Sequence, residues 1–145
     1  MARYLFLLVF VLLFSCSKDN SLPQGDVTFN TLPITTVKKY IAGIWQAHYA
    51  TGGIAGTTVQ LSNSFFDFSD PDLVSWTSNG RVMLDCQINW VNGASIFGSN
   101  SIVMLLRDVI GQKQNISLIA TGIYNDTLII DENAVDGFRY HLTKR

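Results

Sequence analysis

A length of 145 residues is typical of one domain, and a formal net charge of −1 offers no basic surface of the kind that nucleic acid requires. Hydrophobic residues make up 48% of the chain and charged residues 14%, which excludes a disordered polymer and predicts a globular core. The adjacent pair Lys38-Lys39 is interpreted as the solvated face of a helix and not as a site for nucleic acid.

The first fifteen residues follow the plan of a secretory signal peptide. Arg3 supplies the positive charge at the start, and an unbroken apolar run follows over residues 4–14. As a helix this run would span about 16 Å, which is too short for a hydrocarbon core of about 30 Å. We therefore expect residues 1–15 to be a cleaved leader and not a permanent transmembrane helix.

Residues 13–16, with the sequence Leu-Phe-Ser-Cys, resemble the lipobox of bacterial lipoproteins. The resemblance implies that Cys16 is acylated, for example with palmitate, and that several acyl chains on this residue anchor the protein stably to a membrane. Residues 17–20 resemble a short sorting signal of outer-membrane lipoproteins. The expected location is thus the bacterial envelope, lipid-anchored at the outer membrane, with surface exposure left open. An ordinary signal peptide that ends near a cysteine is the alternative.

Residues 16–33 show no regular hydrophobic period and contain Pro23, Gly25 and Pro33. They are interpreted as the lipidated cysteine followed by a flexible tether with a reach of roughly 20–25 Å. Residues 34–145 would then form the folded domain. If Cys16 is acylated, no intramolecular disulfide can form, and Cys86, in an apolar run, is expected to be a small buried hydrophobe.

The folded part begins with a predicted short helix over residues 35–42, capped by a threonine and ended by Gly43. After it, alternation of apolar and polar residues and turn signals such as Asn79-Gly80 dominate. These signals predict an all-β fold, an antiparallel up-and-down barrel of about eight strands preceded by the helix. The predicted strands are 43–50, 57–68, 73–79, 81–91, 101–109, 114–121, 126–131 and 137–144.

Three of these strands indicate what lies inside and outside the barrel. In strand 43–50 the alternation places Trp45, Ala47 and Tyr49 on one face. In strand 137–144 the apolar face holds Phe138, Tyr140 and Leu142, opposite Arg139, His141 and Thr143. Strand 101–109 is apolar on both faces, so either the N-terminal helix or a partner covers its outer face, or the barrel is flattened.

Gly43-Ile44-Trp45 at the start of the first strand resembles the Gly-x-Trp motif at the closed end of lipocalin barrels. The glycine-rich segment 52–56 and the last two strands are also similar to small bacterial lipocalin-like lipoproteins, and the resemblance covers residues 37–145. A Thr-Asp-Tyr-like segment found in lipocalins is missing, which limits the resemblance to an outlying group. It implies that Gly43 and Trp45 are structural and that a basic residue, Arg139 or Arg145, packs over the Trp45 ring.

Catalytic and metal-binding patterns are absent from the sequence. His48 and His141 have no partner at metal-ligand spacing, and no Gly-x-Ser-x-Gly motif is present. Asp67, Asp70 and Asp72 lie close together but lack the spacing of a calcium loop, so they are interpreted as a solvated turn. We therefore expect no enzymatic activity, no metal and no cofactor.

The predicted function is non-enzymatic binding of a small apolar or amphipathic ligand. Gly52, Gly53 and Gly56 are expected to shape the entrance, and Tyr49 is expected to point inward below the rim, although a purely structural role in the core is the alternative for this tyrosine. A protein-binding envelope module, such as an inhibitor or accessory subunit with a filled barrel, is the alternative function. A cavity of at least about 300 Å³ would favour the first function. A filled interior beside an apolar patch of several hundred Å² would favour the second.

Overall fold

The computed structural model describes residues 23–108 and 116–145, in which a closed antiparallel barrel follows a short helix. The helices are a 3₁₀ turn at Phe29–Thr31 and α1 at Ile34–Ile41. The strands are β1 Val27–Thr28, β2 Ile44–Gly52, β3 Thr57–Asp67, β4 Leu73–Ser78, β5 Arg81–Ser95, β6 Gly98–Asp108, β7 Ser117–Tyr124, β8 Thr127–Glu132 and β9 Phe138–Lys144. Strands β2 to β9 pair in chain order, and β9 pairs back with β2. The predicted fold class, an eight-stranded up-and-down barrel with a short preceding helix, is confirmed.

Helix α1 closes one end of the barrel, the helix end. It begins directly after Pro33 without the predicted threonine cap, and its Ile41 is fully buried. Lys38 forms an ion pair with Asp72, and its Nζ lies 5.7 Å from the centre of the Trp90 ring. Lys39 is exposed, as predicted for this face, whereas Lys38 is partly buried because the acidic turn after β3 binds it against the barrel.

The N-terminal segment joins the domain earlier than predicted. Val27 and Thr28 pair with β7, and Phe29 is fully buried, with its ring 6.1 Å from that of Tyr40. The tether predicted over 16–33 must therefore end before β1, because these residues complete the sheet and the core. The predicted leader and Cys16 lie outside the described residues. Among the residues that the structure describes, no helix is both long and apolar enough to cross a membrane.

The barrel interior holds one continuous apolar cluster. Its fully buried large side chains come from nearly every strand, as the alternating pattern predicts. They include Trp45, Phe66, Phe68, Ile102, Met104, Ile123, Leu128, Ile130 and Leu142. Cys86 belongs to the same cluster and is 3% exposed, which confirms its predicted burial.

The hairpin of β5 and β6 is longer than predicted, and its tip folds back onto the barrel. The backbone N–H of Ile96 at the tip donates to Oδ1 of Asn133 at 2.9 Å. Phe97 shares a surface groove with Asp131 and Arg139 of β8 and β9. Since β7 lies between β6 and β8, the tip must cross the outside of β7 to make these contacts.

Three outward-facing apolar residues on β6, β7 and β8 are buried on this side of the barrel. Val103 in β6, Ile119 in β7 and Ile129 in β8 alternate with the interior residues, yet they are only 3%, 5% and 8% exposed. They form no part of the interior cluster. The tip of the β5–β6 hairpin lies on this side of the barrel, but Leu105 on the outer face of β6 is 40% exposed. Cover of strand β6 by α1 or a partner, or a flattened barrel, therefore stays a prediction.

Candidate functional site

A cavity of about 280 Å³ lies at the end of the barrel opposite α1, the open end. This end carries the loops 53–56, 79–80 and 133–137. The cavity wall consists of three aromatic side chains, four aliphatic ones and one carboxylate: Phe66, Trp76, Tyr140, Met83, Leu84, Ile116, Leu118 and Glu132. Because they come from six different strands or strand ends, only the closed barrel brings them together.

The three aromatic rings pack as one rigid wall. Phe66 and Trp76 are nearly parallel, with ring centres 5.3 Å apart and 7° between the ring planes. Tyr140 tilts against both, at 5.4 Å from Phe66 and 5.7 Å from Trp76. The indole N–H of Trp76 donates to Oγ of the fully buried Ser64 at 2.7 Å, which satisfies both polar groups and fixes the ring. This side of the cavity is therefore preformed.

Glu132 is the acidic group of the cavity, and two protein donors hold it. The hydroxyl of Tyr140 donates to its Oε1 at 2.6 Å, and the backbone N–H of Phe138 donates to its Oε2 at 3.1 Å. Burial, followed by the hydrogen bond to Glu132 and the charge of this carboxylate, raises the pKa of Tyr140 well above its ordinary value. The phenol therefore stays protonated and remains a donor throughout the physiological range.

This raised pKa makes stability depend on pH in a defined direction. Above about pH 10 a tyrosine in the unfolded chain ionises, whereas Tyr140 in the folded protein does not. Its contribution to the free energy of unfolding is therefore present below about pH 10 and is lost as the pH rises further. We expect urea midpoints measured from pH 8 to about pH 11 to fall more steeply for the native chain than for Tyr140→Phe. Parallel curves for the two proteins would refute this.

Tyr49 does not point into the barrel as expected. Ala47 pairs with Leu142 of β9, but the next pair is Tyr49 with His141, so His48 is an extra residue in the β2 ladder. This bulge reverses the side of the strand on which the following residues lie. Tyr49 stacks on His141 outside the barrel, with ring centres 4.2 Å apart. The inward orientation predicted for Tyr49 is wrong for this reason.

The outer stack borders an open groove of about 530 Å³ beside β9. Arg139 in this groove donates from Nε to Oδ1 of Asp131 at 2.6 Å and from Nη2 to Oδ2 at 3.2 Å, and the hydroxyl of Thr121 donates to the same carboxylate. The hydrogen bond to Asp131 raises the pKa of Arg139, whereas burial, together with the charge of Arg139, lowers the pKa of His141. The groove is polar, and its charged pair is already satisfied within the protein.

The glycine-rich loop lies at the open end, as predicted, but its glycines do not line the cavity. Gly52 and Gly56 border a separate outer groove, and Gly53 and Gly56 adopt φ angles of 72° and 61° in a turn. Gly52 has a φ of 152° and packs directly against the backbone of Gly137. These positions therefore shape the rim of the barrel, and a direct role in ligand binding stays a prediction.

Replacing Gly52 with alanine tests the close contact between the rim strands. A Cβ there would collide with the carbonyl oxygen of Gly137 and lie 2.9 Å from Cα of Phe138, in addition to the strain of the positive φ. We expect the free energy of unfolding to fall by about 2–4 kcal/mol. In Gly56→Ala, where nothing lies within 4 Å, only the backbone strain remains, and a loss of about 1 kcal/mol is expected. Equal losses in urea unfolding of the two variants would contradict the contact.

The helix end holds Trp45 and Gly43, the two residues predicted to be structural, and a basic residue other than the predicted one. Trp45 is fully buried, and Gly43, with a φ of 113°, exchanges backbone hydrogen bonds with Phe68. The basic group over the Trp45 ring is Lys144, whose Nζ lies 5.6 Å from the ring centre. Arg139 was expected there, but it pairs with Thr51 at the other end of β2 and faces outward to Asp131, whereas Lys144 pairs with Trp45 itself.

Arg145, the other residue expected over Trp45, lies instead over Phe65, with its Cζ 5.2 Å from that ring centre. Burial lowers the pKa of Lys144. The basic residues at the end of β9 therefore divide between the interior face, where Lys144 lies, and the outer face.

The remaining polar candidates lie on the outer surface or in the turn after β3. His48 contacts the hydroxyl of Thr143 through Nε2 at 2.7 Å, on the outer surface. Asp67 and Asp70 each accept a hydrogen bond from a backbone N–H two residues later, as in a solvated turn. In the described parts of the chain, no three His, Cys, Asp or Glu residues are grouped so that they could hold a metal ion.

Comparison with known proteins gave no relative for this barrel: no family model matches the chain, and neither a curated protein nor a solved structure matches it. The site therefore has to be interpreted from its own geometry. Sequence reasoning placed Tyr140 on the interior face but missed Glu132 and the role of Trp76. Glu132 is the last residue of the largely apolar strand β8, and that position alone does not indicate a cavity.

Proposed function

We propose that this protein is a non-enzymatic, lipid-anchored protein of the bacterial outer membrane whose lipocalin-like barrel binds a small apolar or amphipathic ligand. The observation that carries this proposal is the cavity of about 280 Å³ at the open end. At about 280 Å³ it falls just short of the value of about 300 Å³ given above as favouring ligand binding, which is also the lower end of the range usual for ligand sites, so only a small ligand fits. A cavity of about 150 Å³ accommodates benzene, which suggests a ligand of roughly ten to twelve non-hydrogen atoms here.

The fixed wall supports binding because little has to be ordered when a ligand enters. Trp76 is held by Ser64, and Tyr140 is held by Glu132, at 2.7 Å and 2.6 Å respectively. A preformed site avoids the loss of side-chain freedom that otherwise weakens association. The mixture of apolar surface with one hydroxyl and one carboxylate suits an amphipathic molecule better than a plain hydrocarbon.

Exposed apolar side chains around the same end favour a second candidate, an envelope module that binds another protein. Ile54 and Val135, on two different loops, are 91% and 88% exposed, and Val82 and Met83 on the β4–β5 hairpin are more than half exposed. A protein partner would cover these side chains and gain their burial. The partner function would not require anything to enter the cavity, which separates the two candidates experimentally.

Titration of purified protein with phenylbutanol, a neutral amphipathic probe of the right size, tests the proposed function. Trp76 lines the cavity, so its fluorescence should change on binding, and Trp76→Phe should abolish that signal. We expect a Kd below about 100 μM. Leu84→Phe adds volume at the cavity wall and should weaken binding about tenfold, whereas Leu73→Phe, at the helix end, should leave it unchanged. Equal affinity of the two variants for the probe would show that it binds outside the cavity.

A further inference from the structure

We infer that the cavity prefers a ligand with a cationic, hydrogen-bond-donating head, such as a primary ammonium group, over one with a carboxylate head. This rests on the proposed function and specifies its ligand class. Of the eight described residues that line the cavity, Glu132 is the one with a formal charge, and none is lysine, arginine or histidine. Among these described residues, the polar groups that a ligand head can meet are this carboxylate and the phenol of Tyr140.

Glu132 can accept further hydrogen bonds. Each oxygen of a carboxylate has two acceptor positions. The protein occupies one on each oxygen, through Tyr140 at 2.6 Å and the backbone N–H of Phe138 at 3.1 Å. Two positions are left for donors from a ligand. An ammonium group supplies such donors and neutralises the charge, whereas a carboxylate supplies none.

Partial burial strengthens this preference. Glu132 and Trp76 are half-buried, and Tyr140 is 6% exposed, so solvent screens charges here less than at an open surface. A carboxylate ligand would be repelled by Glu132 and would lose hydration without a cationic partner among the described lining residues. An ammonium ligand would replace its lost hydration with charge-assisted hydrogen bonds.

The aromatic wall of the cavity also favours a cationic ligand head. The faces of aromatic rings attract cations, and tryptophan does so most strongly. One face of Trp76 packs against Phe66, but the ring remains half-buried and borders the cavity. A positive head near Glu132 would therefore lie beside ring surface that also favours it.

The test is calorimetric titration of the purified full chain at neutral pH with three probes that share one body: phenylbutylamine, phenylbutanol and phenylbutyrate. We expect the amine to bind about tenfold more tightly than the alcohol, and the carboxylate to bind most weakly. Equal or tighter binding of the carboxylate would overturn the inferred ligand class while leaving the proposed function intact. Failure of all three probes to bind would reject the proposed function itself, and this inference with it.

Glu132→Gln identifies the group responsible. Its amide oxygen can accept from the N–H of Phe138 while its amide N–H donates to the Tyr140 hydroxyl, so the local bonds can be kept as the charge is removed. We expect the preference for the amine over the alcohol to shrink to less than about threefold, with the affinity for the alcohol nearly unchanged. Asp136→Asn removes the same charge from an exposed residue at the same end and should keep the full preference. An unchanged preference in Glu132→Gln, or its loss in Asp136→Asn, would contradict the assignment.

Discussion

Replacing Trp45 with alanine should lower the free energy of unfolding by about 3–5 kcal/mol. The ring is fully buried, and its N–H donates to the carbonyl oxygen of Ile41, the last residue of α1, at 2.6 Å. Lys144 lies over the ring at 5.6 Å from its centre. One side chain thus joins the helix to both β2 and β9, the strands that close the barrel, and alanine would leave a cavity where these elements meet.

Urea unfolding measures this loss of free energy, and two other variants serve as comparisons for its size. Trp45→Phe keeps an aromatic ring but loses the donor to Ile41, so its loss should be smaller than that of the alanine variant. Phe97→Ala, at a ring that is 63% exposed, should change the free energy of unfolding by less than about 1 kcal/mol. If Trp45→Ala fell within that same small range, the ring could not be the contact that joins helix and barrel.

Cys16→Ser should abolish membrane retention while leaving the domain folded. The expectation comes from the lipobox-like residues 13–16, because Cys16 lies outside the described residues and precedes β1 in the chain. Acyl chains on this residue would provide the whole anchor, so removing the thiol should move the protein from the membrane fraction to the soluble fraction. Metabolic labelling with palmitate followed by fractionation measures both the modification and the retention.

Cys86→Ser is the matched control, because it changes the other cysteine of the chain. Cys86 is 3% exposed inside the barrel, so its replacement should affect stability but not labelling. Circular dichroism of both variants shows whether the strands are intact. Persistent membrane retention of the unlabelled Cys16→Ser protein would show that something other than acylation anchors it.

The barrel could be predicted from the sequence because apolar and polar residues alternate within most strands and so indicate which face is buried. Alternation in β9 correctly assigns Tyr140 and Leu142 to the interior. Lys144 reaches Trp45 because the two residues pair, whereas Arg139 pairs with Thr51 at the other end of β2. The same rule failed for Tyr49, because a bulge depends on both strands of a pair. The extra residue His48 opposes a break in the β3 register, where Asn63 has a φ of 46°. No local pattern in β2 reveals it.

The candidate site was harder to predict, because its parts meet only through closure of the barrel. Trp76 and Glu132 are far apart in the chain and belong to strands whose alternation identifies a buried face without showing that space remains beside it. The extension of the β5–β6 hairpin was also missed, since the two strands were predicted to span only 81–91 and 101–109. Volume and long-range contacts of this kind are properties of the packed structure.

Native mass spectrometry of the protein extracted from the cells that produce it naturally tests ligand binding in the cavity most directly. The account predicts a mass equal to the acylated chain plus one small molecule, roughly ten to twelve non-hydrogen atoms in size. This molecule should be lost in Leu84→Phe, which narrows the cavity, and retained in Leu73→Phe. An acylated chain that carries no small molecule, or one that carries a protein subunit and is unaffected by Leu84→Phe, would contradict it.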